Sequence, residues 1–371
     1  MTDNEGCLFI MFMDKDAFIY KLKSTVTGKD FSVALAADND LDGLTAACVM
    51  DMALYEVFDI EVDTCFRHEL TWEIDWQQLP EAEYQVGIFL DLAYGNTPNY
   101  RNAAAKVKHS FAIDHHVASE TGFPQKVLAY NPCRNAECYL PTAYLAGEVA
   151  QGLGLASSPV VEYLVALGVL ADSGIYFNLK PENELEYGCA PKLELLYEKS
   201  KSKFPALFKT VTYDEYKYPQ YRSYLAAIEK EAAELGWNEL YVQWVNESES
   251  LENLQNLIDQ IYEKHPEEFE QLLAELPSDP TETSSSGVWI LKNVTAIPNG
   301  ALARTIAEMT STPIVVYKCA KMCFIAARAP QGSLINFIPA FETYGGGHEG
   351  ACGAVIPSKD LESFLDNIRT L

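Results

Sequence analysis

Three aspartates at every second position, Asp38, Asp40 and Asp42, fill the run Asp38-Asn-Asp-Leu-Asp-Gly-Leu-Thr45. Alternate residues of an extended segment face the same way, so the three carboxylates can converge on one side. Crowded carboxylates repel one another unless a cation sits between them. Gly43 then permits a tight turn into a helix. A calcium loop is a poor match, because the bidentate Glu that closes the usual twelve-residue loop is missing. Taken alone, the stretch also reads as a solvated acidic turn with a helix-capping Asp.

Four further sites bear on the same chemistry. Asp91 closes the apolar run Tyr84-Gln-Val-Gly-Ile-Phe-Leu90, where a turn or cap residue is the plainer reading. Asp114, His115 and His116 follow Ser110-Phe-Ala-Ile113. One buried His there would be unremarkable, whereas two in succession after an Asp are harder to explain as packing. Asp172 interrupts the apolar stretch Ala166-Leu-Gly-Val-Leu-Ala-Asp-Ser-Gly174. A charge inside such a helix is costly unless it is paired or metal-bound, although a helix-terminal Asp is the duller alternative. Gly345, Gly346 and Gly347 precede His348. Successive glycines let backbone N–H groups approach an anion closely, and His348 can donate to a phosphate, unless the run is only a flexible turn. Arg328, the nearest cation upstream, can pair with a phosphate in a planar fork or simply face solvent.

These residues need a frame to position them. Residues 31–180 alternate between short apolar runs and helical periodicity. Strands are expected at Phe31–Ala37, Tyr84–Leu90 and Ser110–Ile113, and helices at Leu44–Phe58, Pro141–Leu153 and Val160–Ala171, the last ending near Asp172. Such alternation implies an α/β fold, a parallel sheet with helices on both faces. Ligands then bind at the carboxyl ends of the strands, where Asp38, Asp91 and Asp114 fall. Residues 181–286 change character to an acidic, mostly helical segment, with helices expected at Tyr221–Leu235 and Leu251–Leu276. It ends in a Ser/Thr/Pro-rich linker or mobile loop at 277–287. Residues 287–371 alternate again as a smaller mixed α/β unit. Strands are expected near Val288–Leu291, Pro313–Tyr317 and Cys323–Ala327, and helices at Ala301–Met309 and Asp360–Ile368. The division expected is thus 1–180, 181–286 and 287–371, since 371 residues exceed one ordinary core.

Composition narrows the partners. The net charge is −26, of which residues 181–286 carry −13 from 22 acidic against 9 basic side chains. No basic run occurs, which argues against tight, non-specific grip on long duplexes. Short oligonucleotides, or a substrate held by metal ions, remain compatible. No apolar run approaches the ~20 residues of a membrane helix, and Cys7–Met13 is only a strand's length. The chain reads as soluble and cytoplasmic, without a membrane partner. Its nine cysteines lack zinc-ligand spacing and read as free, mostly buried thiols.

The sites taken together, Asp-x-Asp-x-Asp-Gly-x-Thr, a strand-terminal Asp, Asp-His-His, a further Asp and a distal Gly-Gly-Gly-His, resemble the DHH phosphoesterase superfamily in type and order. The C-terminal piece resembles its DHH-associated domain of the first subtype. The resemblance covers about 31–180 and 288–371 and leaves the acidic middle segment unexplained. It implies that Asp40, Asp42, Asp91, His115 and Asp172 are metal ligands, with Asp91 the bridge between two ions, Mn2+ before Mg2+. It gives Asp38, Asp114 and His116 supporting or phosphate-contacting roles in catalysis, Asp114 orienting His115. It assigns Arg328, Gly345, Gly346, Gly347 and His348 to substrate. Ala326 stands where the family often has Ser, and Glu349 replaces a Pro common after the His. The activity implied is two-metal hydrolysis of a phosphodiester, exonuclease-like, on single-stranded ends or short oligonucleotides. Cyclic dinucleotides, pyrophosphate and polyphosphate are the alternative substrates. A RecJ-like replication or repair scaffold with little catalysis is the alternative role, with 181–286 docking a protein partner. A homodimer is also compatible with the sequence.

Overall fold

The computed structural model describes residues 11–27, 32–67, 74, 76, 79–80, 83–92, 106–116, 127–134, 140–178, 190–213, 216–274, 276, 280–293, 299–310, 312–319, 322–329, 334, 338–341, 345–348 and 351–370. The chain is an α/β protein. It divides into two compact units, one formed by Met1–Asp172 with Glu231–Ile258, the other by Ser173–Lys230 with Asp259–Leu371.

The first unit is built on a six-stranded sheet. Its strands are β1 (Met11–Phe12), β2 (Val33–Ala37), β3 (Val62–Phe66), β4 (Tyr84–Leu90), β5 (Val107–Ile113) and β6 (Val127–Tyr130). They lie in the order β1-β6-β5-β4-β2-β3, and every neighbouring pair is parallel. All five residues of β2 are buried, the continuous apolar reading expected of a parallel strand covered on both faces. Helix α1 (Lys15–Val26) precedes β2, and α2 (Leu41–Phe58) follows it. Helix α2 is buried without a break from Leu41 to Met50, so it is covered all round rather than along one stripe. Helices α3 (Thr142–Leu153) and α4 (Pro159–Asn178) complete the alternation.

Two expectations change here. Helix α2 starts at Leu41, three residues before the periodicity suggests, so Asp38, Asp40 and Asp42 do not lie on one extended segment. Helix α4 runs through Asp172 to Asn178 instead of ending there.

The middle segment is helical but not wholly so. Helix α5 (Ala190–Lys203) is followed by the antiparallel pair β7 (Thr210–Tyr213) and β8 (Tyr216–Pro219), which the acidic composition had concealed. Helices α6 (Tyr221–Leu235), α7 (Trp237–Glu247), α8 (Leu251–Lys264) and α9 (Glu268–Ala274) come next. The single helix expected over Leu251–Leu276 is therefore two. Pro266 lies in the break, where its ring and missing N–H oppose a continuous helix. Helix α7 packs within the first unit: Tyr241 donates to Asp51 at 2.7 Å, its ring and that of Trp237 lie tilted beside Phe66, and Trp244 is fully buried. This part of the acidic segment is committed to core packing.

The second sheet has the order β13-β14-β12-β11-β10-β9, from β9 (Glu282–Thr283), β10 (Trp289–Lys292), β11 (Ile314–Cys319), β12 (Met322–Arg328), β13 (Gly345–His348) and β14 (Ala351–Pro357). Only β10 with β11 is parallel. Helix α10 (Asn299–Thr310) connects those two, and α11 (Ile338–Phe341) and α12 (Leu361–Thr370) follow. The Ser/Thr-rich stretch expected as a linker or loop supplies β9 and a tight turn, with Ser284 N–H donating to the Val288 carbonyl and Gly287 at φ 84°. Residues 277–279 lie outside the described residues, as do the first ten. The expectation of free thiols holds for Cys48, Cys65, Cys133 and Cys352, all buried, but Cys319 and Cys323 form a disulfide across the β11–β12 pair. None of the described helices is long and apolar enough to cross a membrane.

Candidate metal centre

The site is organised by a row of residues one step beyond the strands. Ala37, Leu90 and Ile113 end β2, β4 and β5 and are in register. The next residues, Asp38, Asp91 and Asp114, each still donate a backbone N–H to the last carbonyl of the neighbouring strand. Asp38 donates to Leu90 at 3.2 Å, Asp91 to Ile113 at 3.1 Å and Asp114 to Tyr130 at 3.2 Å. Arg67 extends the row past β3, donating to Ala37 at 3.0 Å, and Asn131 extends it past β6. Five adjacent strands thus end in Arg67, Asp38, Asp91, Asp114 and Asn131, at one level of the carboxyl edge. Asp91 turns off this ladder at φ 60°, in the left-handed region that favours glycine and that aspartate tolerates better than most residues.

Two helix starts bring in the rest. Asp40 is the N-cap of α2, its Oδ1 accepting from Gly43 N–H at 2.9 Å. Asp42 lies in the first turn of α2, where the helix dipole favours a carboxylate. Its Oδ2 accepts from Thr142 N–H at 2.7 Å and its Oδ1 from Ala143 N–H at 2.8 Å, so it satisfies the open amides at the start of α3. Gly43 and Gly168 make this approach feasible. A Cβ at Gly43 would strike the Asp38 backbone, and one at Gly168 would strike Thr45 and Ala143 and crowd Asp42.

The Asp-His-His run divides its duties. Asp114 Oδ1 accepts from the backbone N–H of His115 at 2.7 Å and of His116 at 3.1 Å, and from His116 Nδ1 at 2.7 Å. Asp114 thus grips the ring of His116, whereas the sequence suggests it steers His115. The His115 ring sits between two other carboxylates, Nε2 3.2 Å from Asp91 Oδ1 and Nδ1 3.7 Å from Asp172 Oδ2. Asn131 braces the turn, donating to the His116 carbonyl at 2.8 Å.

Three overlapping groups result. Asp42, His115 and Asp172 offer ligand atoms within 4.8 Å of one another, as do Asp91, His115 and His116, and Asp38, Asp40 and Asp91. All six carboxylates that the sequence marks and the two imidazoles of the Asp-His-His run are brought together. Arg67 joins them, with Nη2 2.7 Å from Asp38 Oδ1. The electrostatics are those of a site short of positive charge. Burial, then the Asp91 and Asp172 carboxylates, push Asp42 well above the usual carboxylate range, and burial with Asp91 and Asp38 does the same to Asp40. Burial raises Asp38 to about 6 despite Arg67. Burial also opposes ionisation of Asp91, but the bonded His115 imidazole holds it down at about 2. Burial disfavours the imidazolium of His115 too, yet Asp172 and Asp91 outweigh it and raise its pKa. Oxygen donors with one or two imidazoles, crowded and starved of cation, fit divalent metal ions.

Sequence reasoning missed Thr142, Arg67, Asn131 and Gly168. Pro141-Thr142 marks a helix start, but nothing in its spacing says which carboxylates it faces. In the second unit, Arg328 is paired in register with Ala351, and Ala351 with His348, so Arg328 and His348 occupy one row across β12, β14 and β13. Gly345, Gly346 and Gly347 lie in β13, the edge strand. Arg328 Nη1 donates to the Ala327 carbonyl at 2.9 Å, and Nη2 would meet a Cβ at Gly300, at the start of α10, at 3.6 Å.

The architecture is similar to that of several solved structures. One is exonuclease RecJ bound to manganese, at 15% identity over 97% of this chain and 94% of that one, TM-score 0.54. Another is the DHH domain of a member of the S1p family of ribosomal proteins, at 18% identity over 96% and 91%, TM-score 0.64. A third is CDC45 from Entamoeba histolytica, at 11% identity over 97% and 99%, TM-score 0.53. No protein-family model matches the sequence, and no curated protein matches it.

Proposed function

We propose that this chain, which has the fold of RecJ and of the DHH domain, is a metal-dependent phosphoesterase that hydrolyses phosphodiesters of single-stranded ends or short oligonucleotides. The observation that carries this reading is the sharing of Asp91 and His115 between neighbouring ligand groups. Shared ligands would set two cation positions side by side, as in two-metal hydrolases. Asp42, His115 and Asp172 would hold one ion and Asp38 and Asp40 the other, with Asp91 between them. Carboxylate-rich donors suit Mn2+ or Mg2+ better than zinc, and the similar RecJ is bound to manganese. Such ions supply Lewis acidity and charge neutralisation for attack of water on the phosphoester.

The chain's own residues would orient the substrate and move its protons. Asp114 accepts from His116 Nδ1 and outweighs the burial that disfavours the imidazolium, so the His116 pKa is raised. His116 then keeps Nε2–H to donate to a phosphate or leaving oxygen. Arg67 fixes the Asp38 carboxylate. The edge strand Gly345–His348, with Arg328 in the same row, would take the terminal phosphate, since glycines let backbone N–H groups reach an anion. The net charge of −26 without a basic run disfavours long polyanions and favours short substrates.

A second reading, a replication or repair scaffold with little turnover, draws on the −13 carried by residues 181–286. The test is incubation with Mn2+ and labelled DNA and RNA of graded length, cyclic dinucleotides, pyrophosphate and polyphosphate. Short single strands should disappear first, and Asp42→Ala and Asp91→Ala should lose that activity. Full Mn2+-dependent activity in either variant would refute the assignment. Absence of turnover alongside a stable protein complex would favour the scaffold.

A further inference from the structure

Thr142, the first residue of α3, touches both sides of the centre and is itself fully buried. Its backbone N–H donates to Asp42 Oδ2 at 2.7 Å. Its hydroxyl donates to Asp91 Oδ1 at 2.9 Å. Asp42 belongs to the group with His115 and Asp172, and Asp91 to the group with Asp38 and Asp40. One residue therefore bonds a carboxylate from each.

The two bonds differ in how they depend on the side chain. Asp42 is held by backbone amides of Thr142 and Ala143, which any residue at 142 other than proline can supply. Asp91 depends on the hydroxyl. Asp91 also differs from Asp38 and Asp114 in its left-handed backbone at φ 60°, so the direction of its side chain is not set by continuation of the strand. Its Oδ1 also faces His115 Nε2 at 3.2 Å and His116 Nδ1 at 3.7 Å, and the Thr142 hydroxyl adds a donor to that oxygen from outside the groups of candidate ligands. Carboxylates and imidazoles that bind metals are commonly aimed by such outer hydrogen bonds.

We propose that Thr142 is a positioning residue that fixes the separation of the two ion positions, its backbone anchoring Asp42 and its hydroxyl aiming Asp91. The inference rests on the two-ion reading above. Because Asp42, His115 and Asp172 keep their own contacts, loss of the hydroxyl should weaken the position built on Asp38, Asp40 and Asp91 more than the neighbouring one that Asp91 shares with Asp42, His115 and Asp172.

The experiment is a Mn2+ titration of the full chain followed by electron paramagnetic resonance, which reports both the number of bound ions and their magnetic coupling. The wild type should bind two coupled ions. Thr142→Val, close in volume, should keep the first ion, lose about 10–100-fold in affinity for the second, and lose the coupled signal at Mn2+ levels that fill the wild type. Thr142→Ser should restore both, and Thr142→Ala should not. The Ser and Ala variants decide the matter even where Val disturbs folding, because a packing role would make Ser lose as Ala does. Two ions bound to Thr142→Val with wild-type affinity and coupling would overturn the proposal, as would equal loss in Ser and Ala. Fewer than two ions in the wild type would instead overturn the two-ion reading, and this inference with it.

Discussion

Arg67 Nη2 lies 2.7 Å from Asp38 Oδ1, one residue past the ends of two neighbouring strands, while Arg67 Nε donates to Asn39 at 3.1 Å. A single guanidinium therefore counters the crowding at one side of the centre. Arg67→Ala should leave Asp38 buried beside Asp91 and Asp40 without it, raising the Asp38 pKa further from about 6. An opposite charge at this range lowers a carboxylate by about 1–3 units. The acid limb of the Mn2+-dependent rate profile should move to higher pH by about that amount, with Arg67→Lys shifting it less. An unchanged limb would separate Arg67 from the chemistry.

Metal-free stability should fall as pH rises. Asp38, Asp40 and Asp42 have folded pKa values above the unfolded 3.8, so their contribution is full below about 4 and is lost as pH climbs, through about 6 for Asp38. His115, raised above 6.5, acts in the same direction at higher pH. Asp91 opposes them, but its loss falls between 3.8 and about 2. Mn2+ competes with these protons. The rise in melting temperature on adding Mn2+ should therefore be larger at pH 7.5 than at pH 5. Equal rises, or none, would count against a metal centre here.

His116→Ala separates proton donation from ligation. Its Nδ1 is taken by Asp114. The variant should lower kcat by about 10²–10⁴-fold, the worth of a general acid, while two Mn2+ ions still bind. Loss of an ion in this variant would make His116 a ligand instead.

Gly168→Ala introduces one methyl against Thr45 and Ala143, beside Asp42. Overpacking of this kind costs about 1–3 kcal/mol. Denaturant unfolding should show that loss, and Mn2+ affinity should fall with it because α4 also carries Asp172. Gly154→Ala, which meets only the Val57 side chain at ordinary distance but has φ 124°, should cost stability without touching Mn2+ affinity.

Arg328→Ala should raise KM for short oligonucleotides and leave the Mn2+ stoichiometry at two, because Arg328 lies in the second unit with His348 and not among the metal groups. A change in kcat alone would remove Arg328 from substrate binding.

Much of this centre was determined by sequence. The apolar runs Val33–Ala37, Tyr84–Leu90 and Ser110–Ile113 each stop at an Asp, because a charge cannot continue a strand buried on both faces. That alone puts Asp38, Asp91 and Asp114 at one sheet edge, and the order of residue types names the chemistry. The tertiary structure decided how the edge is assembled. Strand order sets Arg67 and Asn131 at its two ends, contacts between strands far apart in the chain that no local pattern encodes. Helix α2 starts early because Asp40 caps it and Asp42 caps α3 a hundred residues on, so the three aspartates converge from a strand end, a cap and a helix turn. Thr142 and Gly168 acquire their roles only because α3 and α4 pack at that junction. A hydroxyl or a missing methyl has no signature of its own until the neighbour it meets is known.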